Sequence, residues 1–156
     1  MWEVITRSRK ETINLGYTLG RFLKCGDIVL LWGELGTGKT VFAKGISLSK
    51  GIDSRKVDSA SFVLLKIYEG SDRIFHYDFF RIHSPDEIVE LGFFEYVEEG
   101  ISVVEWPHYL IEVLGEIPFL EVFIEHFNRN WRKIRIISSH KRFKTTINKL
   151  KKEYRG

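Results

Sequence analysis

Hydrophobic and polar positions along the chain alternate between two periods, and the switches between them predict the elements. Residues 8–24 (SRKETINLGYTLGRFLK) set Ile13, Tyr17 or Leu19, and Phe22 or Leu23 on one face at a spacing near 3.6. Ser8 and Glu11 stand three apart at its start, so a helix with a capping box is expected there, ending near Gly26. Residues 28–32 (IVLLW) are continuously apolar, as in a strand buried on both faces, and a helix is predicted from Lys39 to Lys50. FVLLKIY at 62–68 and RIFHYDFF at 73–80 flank the turn residues EGSD and predict an antiparallel hairpin. Within the second run Phe75, Tyr77 and Phe79 share one face, and His76, Asp78 and Phe80 the other.

Farther on, Ser84-Pro85 opens a helix, ISVVEW at 101–106 is another buried strand, and HYLIEVLG at 108–115 is expected to be a short helix. FLEVFIEHF and WRKIRIIS, joined by Asn128-Arg129-Asn130, predict a second hairpin. A terminal helix follows, carrying Phe143, Ile147, Leu150 and Tyr154 at helical spacing. Strands alternating with helices, then a hairpin and a helix, imply one α/β domain over residues 1–156 with a mixed central sheet between helical layers.

Composition changes this picture little. The chain is 44% hydrophobic and 29% charged, which suits a single globular core, and its net charge of +3 is ordinary. No long apolar span occurs and the start, MWEVITRSRKE, has no apolar signal core, so a cytoplasmic protein without membrane association is expected. The single cysteine, Cys25, has no nearby His in sequence and reads as a small buried or half-buried side chain rather than a nucleophile.

Candidate chemistry begins at residues 33–40, GELGTGKT, which fit the phosphate-binding pattern G-x-x-x-x-G-K-T between a strand and a helix. Gly33 and Gly38 let the backbone curl so that N–H groups point at a phosphate, with Leu35, Gly36 and Thr37 completing the loop. Lys39 is expected to bridge the β- and γ-phosphates of a nucleotide, and Thr40 to offer its hydroxyl to Mg²⁺. A metal held by Thr40 alone would be poorly ligated, so an acid is needed at the end of a neighbouring strand. Glu105, which ends ISVVE, is assigned to the metal, and Asp78, which ends RIFHYD, to the attacking water. Either acid could instead pair with Arg81, and His76 is read as a hydrogen-bonded neighbour of the site rather than a ligand. Trp106 either covers the nucleotide or packs in the core.

Five segments in order, GELGTGKT, SASF at 59–62, HYDFFR at 76–81, ELGFFEY at 90–96 and VEWP at 104–107, resemble the TsaE (YjeE) family, small ATPases of bacterial tRNA threonylcarbamoyladenosine synthesis. The resemblance covers about Ser8 to Pro107. It implies a P-loop α/β fold, ATP and Mg²⁺ at the loop, Mg²⁺ on Thr40 and Glu105, and Asp78 as an essential acid. It also implies the TsaB–TsaD heterodimer as partner, with ATP hydrolysis resetting that complex between turnovers. Thr12, on the first helix, is carried over as an ATP contact. Where the family usually has S-P-T-[FY], this chain has Ser59-Ala60-Ser61-Phe62, so a proline is lost while Ser61 keeps a hydroxyl that could sense the γ-phosphate. Phe80 likewise replaces a common Tyr.

Other function classes leave weaker traces. A GTPase would need an N-K-x-D base reader, and Asn148-Lys149-Leu150-Lys151 ends on the wrong charge. A small-molecule or nucleoside kinase would need an arginine-bearing lid, and a nucleotide-dependent binding module with vestigial hydrolysis would look the same in sequence. Arg129, Arg132, Lys133 and Arg135 near the second hairpin turn read as a solvated basic edge, the alternative being that one of them reaches ATP or a partner. The terminal helix is basic around its apolar stripe, through which tRNA could be met directly or a partner's acidic surface engaged.

Overall fold

The computed structural model describes residues 1–156. In chain order the elements are β1 (Trp2–Thr6), α1 (Arg9–Gly20), β2 (Ile28–Trp32), α2 (Lys39–Leu48), β3 (Leu65–Tyr68), β4 (Ile74–Asp78), α3 (Pro85–Glu90), α4 (Phe93–Tyr96), β5 (Ile101–Glu105), β6 (Leu120–His126), β7 (Arg132–Ile137) and α5 (Lys141–Glu153). The seven strands form one sheet in the order β1-β7-β6-β2-β5-β4-β3. Its centre, β6-β2-β5-β4, is parallel, and antiparallel partners flank it on both sides.

Helices cover both faces, as the apolar runs of β2, β4 and β5 require: every residue of these strands except Trp32 is buried. On one face α1, α2 and α5 bury Leu15, Leu19, Phe42, Ile46, Phe143, Ile147 and Leu150 against Val29, Leu31, Val103, Val122 and Ile136. On the other, α3, α4 and the segment after β5 bury Ile88, Phe93, Leu110 and Leu114 against Leu30, Phe75, Tyr77 and Val104. The alternation of Phe75, Tyr77 and Phe79 against His76 and Asp78 is thus observed, with the aromatics in the second core. No helix is long and apolar enough to cross a membrane.

Ser8 caps α1, its Oγ accepting from Glu11 N at 3.1 Å, but the Glu11 carboxylate reaches back to Arg7 N at 2.6 Å rather than to the cap residue. Glycines bring α1 and α2 together: a Cβ on Gly16 would lie 2.4 Å from the Phe42 carbonyl oxygen, and one on Gly45 would lie 2.1 Å from that of Ile13. That close approach carries the start of α1 up to the phosphate loop.

Four expectations change. Residues 2–6 form an edge strand on β7, where no element is expected from the periodicity. The strand at 62–68 begins only at Leu65, because Val63 N and Leu64 N both donate to the Ala60 carbonyl in a turn and Leu64 has φ 68°. HYLIEVLG does not become a helix. Ile111 N and Val113 N close single turns on Pro107 O and Leu110 O, and the seven residues between Pro107 and the positive φ of Gly115 offer too few bonds to offset helix nucleation. Cys25 is exposed rather than buried, its thiol donating to Glu98 O at 3.0 Å.

Candidate nucleotide site

At the C-terminal edge of the parallel strands, β2 runs into the glycine loop and β4 and β5 end side by side. Asp78 and Glu105 are register partners of the parallel β4–β5 pair, so both carboxylates emerge at one level beside the loop. The loop's shape depends on glycine at two points. Gly33 has φ 158°, and a Cβ there would meet both Ile124 O and Thr37 Oγ1 at 2.5 Å. Gly38 caps α2 at φ 112° with no side-chain capping bond, leaving the first-turn N–H groups of α2 free for an anion.

Thr40, in the first turn of α2, donates to both Glu105 oxygens, at 3.1 and 3.0 Å. His76 sits on the neighbouring strand, fully buried, with Nε2 2.6 Å from Glu105 Oε2 and Nδ1 3.1 Å from the Tyr68 hydroxyl. The carboxylate is thus gripped from two sides, and the hydroxyl–carboxylate pair is an all-oxygen donor set suited to Mg²⁺, which takes one or two protein oxygens together with phosphate and water. His76 orients this carboxylate and is a hydrogen-bonded neighbour of the site, in line with the reading of its sequence position.

Asp78 is held differently. Its Oδ1 accepts from Phe80 N at 3.0 Å, and its Oδ2 has only a long contact, 3.5 Å, with Ser59 Oγ. Burial pushes its pKa up, and the Glu105 charge adds to that, while the Phe80 N–H, His76 and Lys39 oppose it. Neither acid pairs with Arg81, whose guanidinium lies over the Phe62 ring at 4.4 Å.

Lys39 is almost wholly buried. Its ammonium donates to Gly33 O at 2.6 Å and Glu34 O at 2.7 Å, and lies 4.3 Å from the centre of the Trp106 ring. Burial lowers its pKa, opposed by the charges of Glu105, Asp78 and Glu34. Trp106 has φ 56°, rare for a bulky residue, and is half-buried between Lys39 and the rings of Phe80 and His108.

The loop forms a ridge between two hollows. One, of about 470 Å³, is lined by Leu35, Lys39, Thr40, Ser61, Asp78, Glu105 and Trp106 among others. The second, of about 400 Å³, is lined by Arg7, Arg9, Thr12, Thr37, Asn130 and Arg132, and Gly36 and Gly38 border both. All ten residues expected at the nucleotide therefore surround one loop, though by different means. Gly33 and Thr37 shape it from within: the Thr37 side chain is buried and donates to Glu34 O at 3.0 Å. Leu35 stands exposed on its crest. Thr12 is buried at the rim, its hydroxyl shared with Thr6 at 2.8 Å and Ser8 O at 3.3 Å.

Four residues contribute more than the sequence reading gave them. Arg132 is not a solvated edge residue: its Nε donates to Thr37 O at 2.7 Å, so the second hairpin braces the loop. Arg7 lies over Trp131 at 5.0 Å, and with Asn130 it closes the second hollow. Ser59 rather than Ser61 reaches Asp78, while Ser61 N and Oγ bond to Ser59 Oγ at 3.3 and 3.1 Å. The only signals for these in the sequence are arginines flanking a turn and a helix start, a pattern shared by many solvated edges.

The chain matches the family model for the threonylcarbamoyl adenosine biosynthesis protein TsaE over residues 6–134. It is 40% identical over 135 residues to the tRNA threonylcarbamoyladenosine biosynthesis protein TsaE of Rickettsia conorii, covering 86% of this chain and 77% of that one. The Bacillus subtilis protein of the same name is 33% identical over 147 residues, covering 93% and 90%. Among solved structures, Bacillus subtilis YdiB superposes with a TM-score of 0.78 at 26% identity, over 97% of this chain and 94% of that one. A family match spanning the loop, both strand-end carboxylates and the bracing hairpin leaves one conclusion: the chain belongs to the TsaE family and to the biosynthesis of tRNA threonylcarbamoyladenosine.

Proposed function

We propose that this protein is a Mg²⁺-dependent ATPase of the cytoplasm that acts on the TsaB–TsaD heterodimer and resets it between rounds of tRNA modification. The observation that carries the reading is the convergence on one loop of Lys39, the Thr40 hydroxyl on both Glu105 oxygens, and Asp78 one strand away at the same level. The loop N–H groups and Lys39 bind the phosphates, Thr40 and Glu105 hold the cation, and the hollow bordered by Thr12, Asn130 and Arg132 receives the rest of the nucleotide. Bound there, Mg²⁺ supplies neutralisation of charge on the phosphates.

Asp78, fixed by the Phe80 N–H and with its basicity raised by burial, orients the attacking water and accepts its proton. Lys39 has two of its donors on loop carbonyls and lies against Trp106, so it must change partners to reach a γ-phosphate. That rearrangement would make turnover by the isolated chain slow and let a partner that resets the Trp106 and 59–64 segments accelerate it.

An assay of phosphate release tests this with and without the TsaB–TsaD pair, alongside multiple-turnover tRNA modification. Slow hydrolysis alone, acceleration by the heterodimer, and loss of repeated turnovers in Asp78→Asn are the expected results. Labelled phosphate found on a nucleoside or metabolite would establish a kinase instead. Full multiple-turnover modification with Asp78→Asn would leave a nucleotide-dependent binding module.

A further inference from the structure

The chain's charge is segregated. Residues 141–156 carry seven of its 24 Lys and Arg and one of its 21 Asp and Glu, a formal +6, which leaves −3 over residues 1–140. Most of that excess lies on one flank of α5, with Arg142 and the exposed Lys149 on the other. Lys141, Lys144, Asn148, Lys151, Lys152 and Arg155 follow one another at helical spacing, all exposed, along a stripe of about 16 Å from Lys141 to Lys152. None of these cations makes an ion pair; on α5 only Arg142 does, with Asp27 at the helix's other flank.

A second polar stripe lies alongside. On and just beyond α1, Lys10, Asn14, Tyr17 and Arg21 recur at spacings of four, three and four, and all are exposed. The Asn14 amide donates to Arg155 O at 3.2 Å, which joins the two stripes where α5 ends. Tyr17, Asn14, Lys10 and Arg155 line a shallow depression at this junction, and Tyr17 is 41% exposed. The one acid in that depression, Glu11, is committed to Arg7 N.

We propose that this α1–α5 face binds RNA, with the lysine stripe tracking phosphates and Tyr17 offering a stacking surface to an unpaired base beside the Asn14 amide. A row of unpaired cations fits a polyanion, and an exposed aromatic set among them fits a nucleobase. A membrane surface is disfavoured because the apolar stripe of α5, Phe143, Ile147, Leu150 and Tyr154, is buried against the sheet, leaving nothing to insert. The face lies outside both hollows flanking the phosphate loop and uses none of their residues, so it stands or falls separately from the nucleotide reading.

The test is fluorescence anisotropy of the intact protein with an unmodified tRNA transcript, titrated at 50 to 200 mM salt. Binding should weaken steeply with salt, and Lys144→Glu/Lys151→Glu/Lys152→Glu should lower the slope of log affinity against log salt by about 2 to 3. Tyr17→Ala should weaken binding about 5- to 100-fold, at an unchanged slope, because it removes stacking and no charge. Thermal melting by circular dichroism confirms folding, and Lys144→Gln/Lys151→Gln serves if the triple variant does not fold. Equal tRNA affinity of parent and folded variants would overturn the proposal. So would binding to vesicles of phosphatidylglycerol without binding to tRNA.

Discussion

The two carboxylates of the site stand at the same level on adjacent strands, yet they are built into their surroundings in opposite ways. Around Glu105 every neighbour is hydrogen-bonded: half-buried Thr40 on both oxygens, buried His76 behind, Tyr68 behind that. Around Asp78 one backbone N–H is firm, while the other oxygen faces a turn whose Phe62 is 80% exposed and whose only reach to the acid is a 3.5 Å contact. The first half is preorganised for a ligand that must sit in one place. The second, equally buried, is held firmly at one oxygen only, which on the function proposed above suits an acid that must meet a water.

Breaking the two halves in turn should therefore give different symptoms. The largest effect is expected from Asp78→Asn, with turnover about 10²- to 10⁴-fold lower and nucleotide affinity within about threefold of the parent. Isothermal calorimetry and single-turnover phosphate release separate the two quantities. The same variant carries a signature in stability. Burial raises the pKa of Asp78 in the folded state, so the folded protein holds a proton the unfolded chain has already lost, and this acid destabilises the fold increasingly as pH rises from the ordinary value of 3.8 through the raised one. Asp78→Asn should melt higher than the parent at neutral pH, and the difference should shrink toward zero as pH falls below that range. A lower melting temperature at pH 7.5 would contradict the assignment of Asp78 as a desolvated, loosely held group.

Lys39→Ala should weaken Mg²⁺-ATP binding by about 100-fold or more, since a charge-assisted contact to phosphate is lost. Glu105→Gln should act through the metal, weakening nucleotide binding in Mg²⁺ while leaving binding in EDTA nearly unchanged. His76→Phe should reproduce that pattern more weakly, about 10-fold, because it removes only the group that orients the ligand. If His76→Phe instead changed turnover and left metal-dependent affinity alone, the division between the halves would be wrong.

The contrast also explains what the sequence could and could not disclose. Glycines at 33 and 38, the Lys39-Thr40 pair and acids closing two apolar runs are local signals, because each residue type is fixed by backbone geometry or charge that its neighbours in sequence reveal. The buried strands and the α5 stripe were legible for the same reason, their period being set by which faces are covered. Arg132 was left between a solvated edge and a site contact and Asn130 was read only as a turn residue, since both come to the loop side because β7 and β6 extend the sheet beside β2, and residue patterns do not encode that adjacency. Residues 2–6 gave a weak alternation, Trp2, Val4 and Thr6, too short to distinguish from a frayed terminus without its partner β7. The turn at 60–64 was hidden by its own apolar composition: Phe62 and Val63 read as strand but are exposed, because bonding two N–H groups to Ala60 O takes the chain out of the sheet.

The smallest expected effect tests the loose half most sharply. Ser59 and Ser61 are linked to each other, but Ser59 alone extends to Asp78. Ser59→Ala removes a long, part-exposed hydrogen bond, so global stability should shift by no more than about 0.5 kcal/mol and nucleotide affinity should hold. Turnover should fall a few-fold, because Asp78 Oδ2 loses its outer restraint while the Phe80 bond keeps Oδ1 in place. Ser61→Ala should do less on its own, acting only through Ser59, and the double variant should match Ser59→Ala rather than add to it. Additive losses in that cycle would show that Ser61 meets the reacting groups directly, as its position in the sequence first suggests, and would move the trigger two residues along the turn.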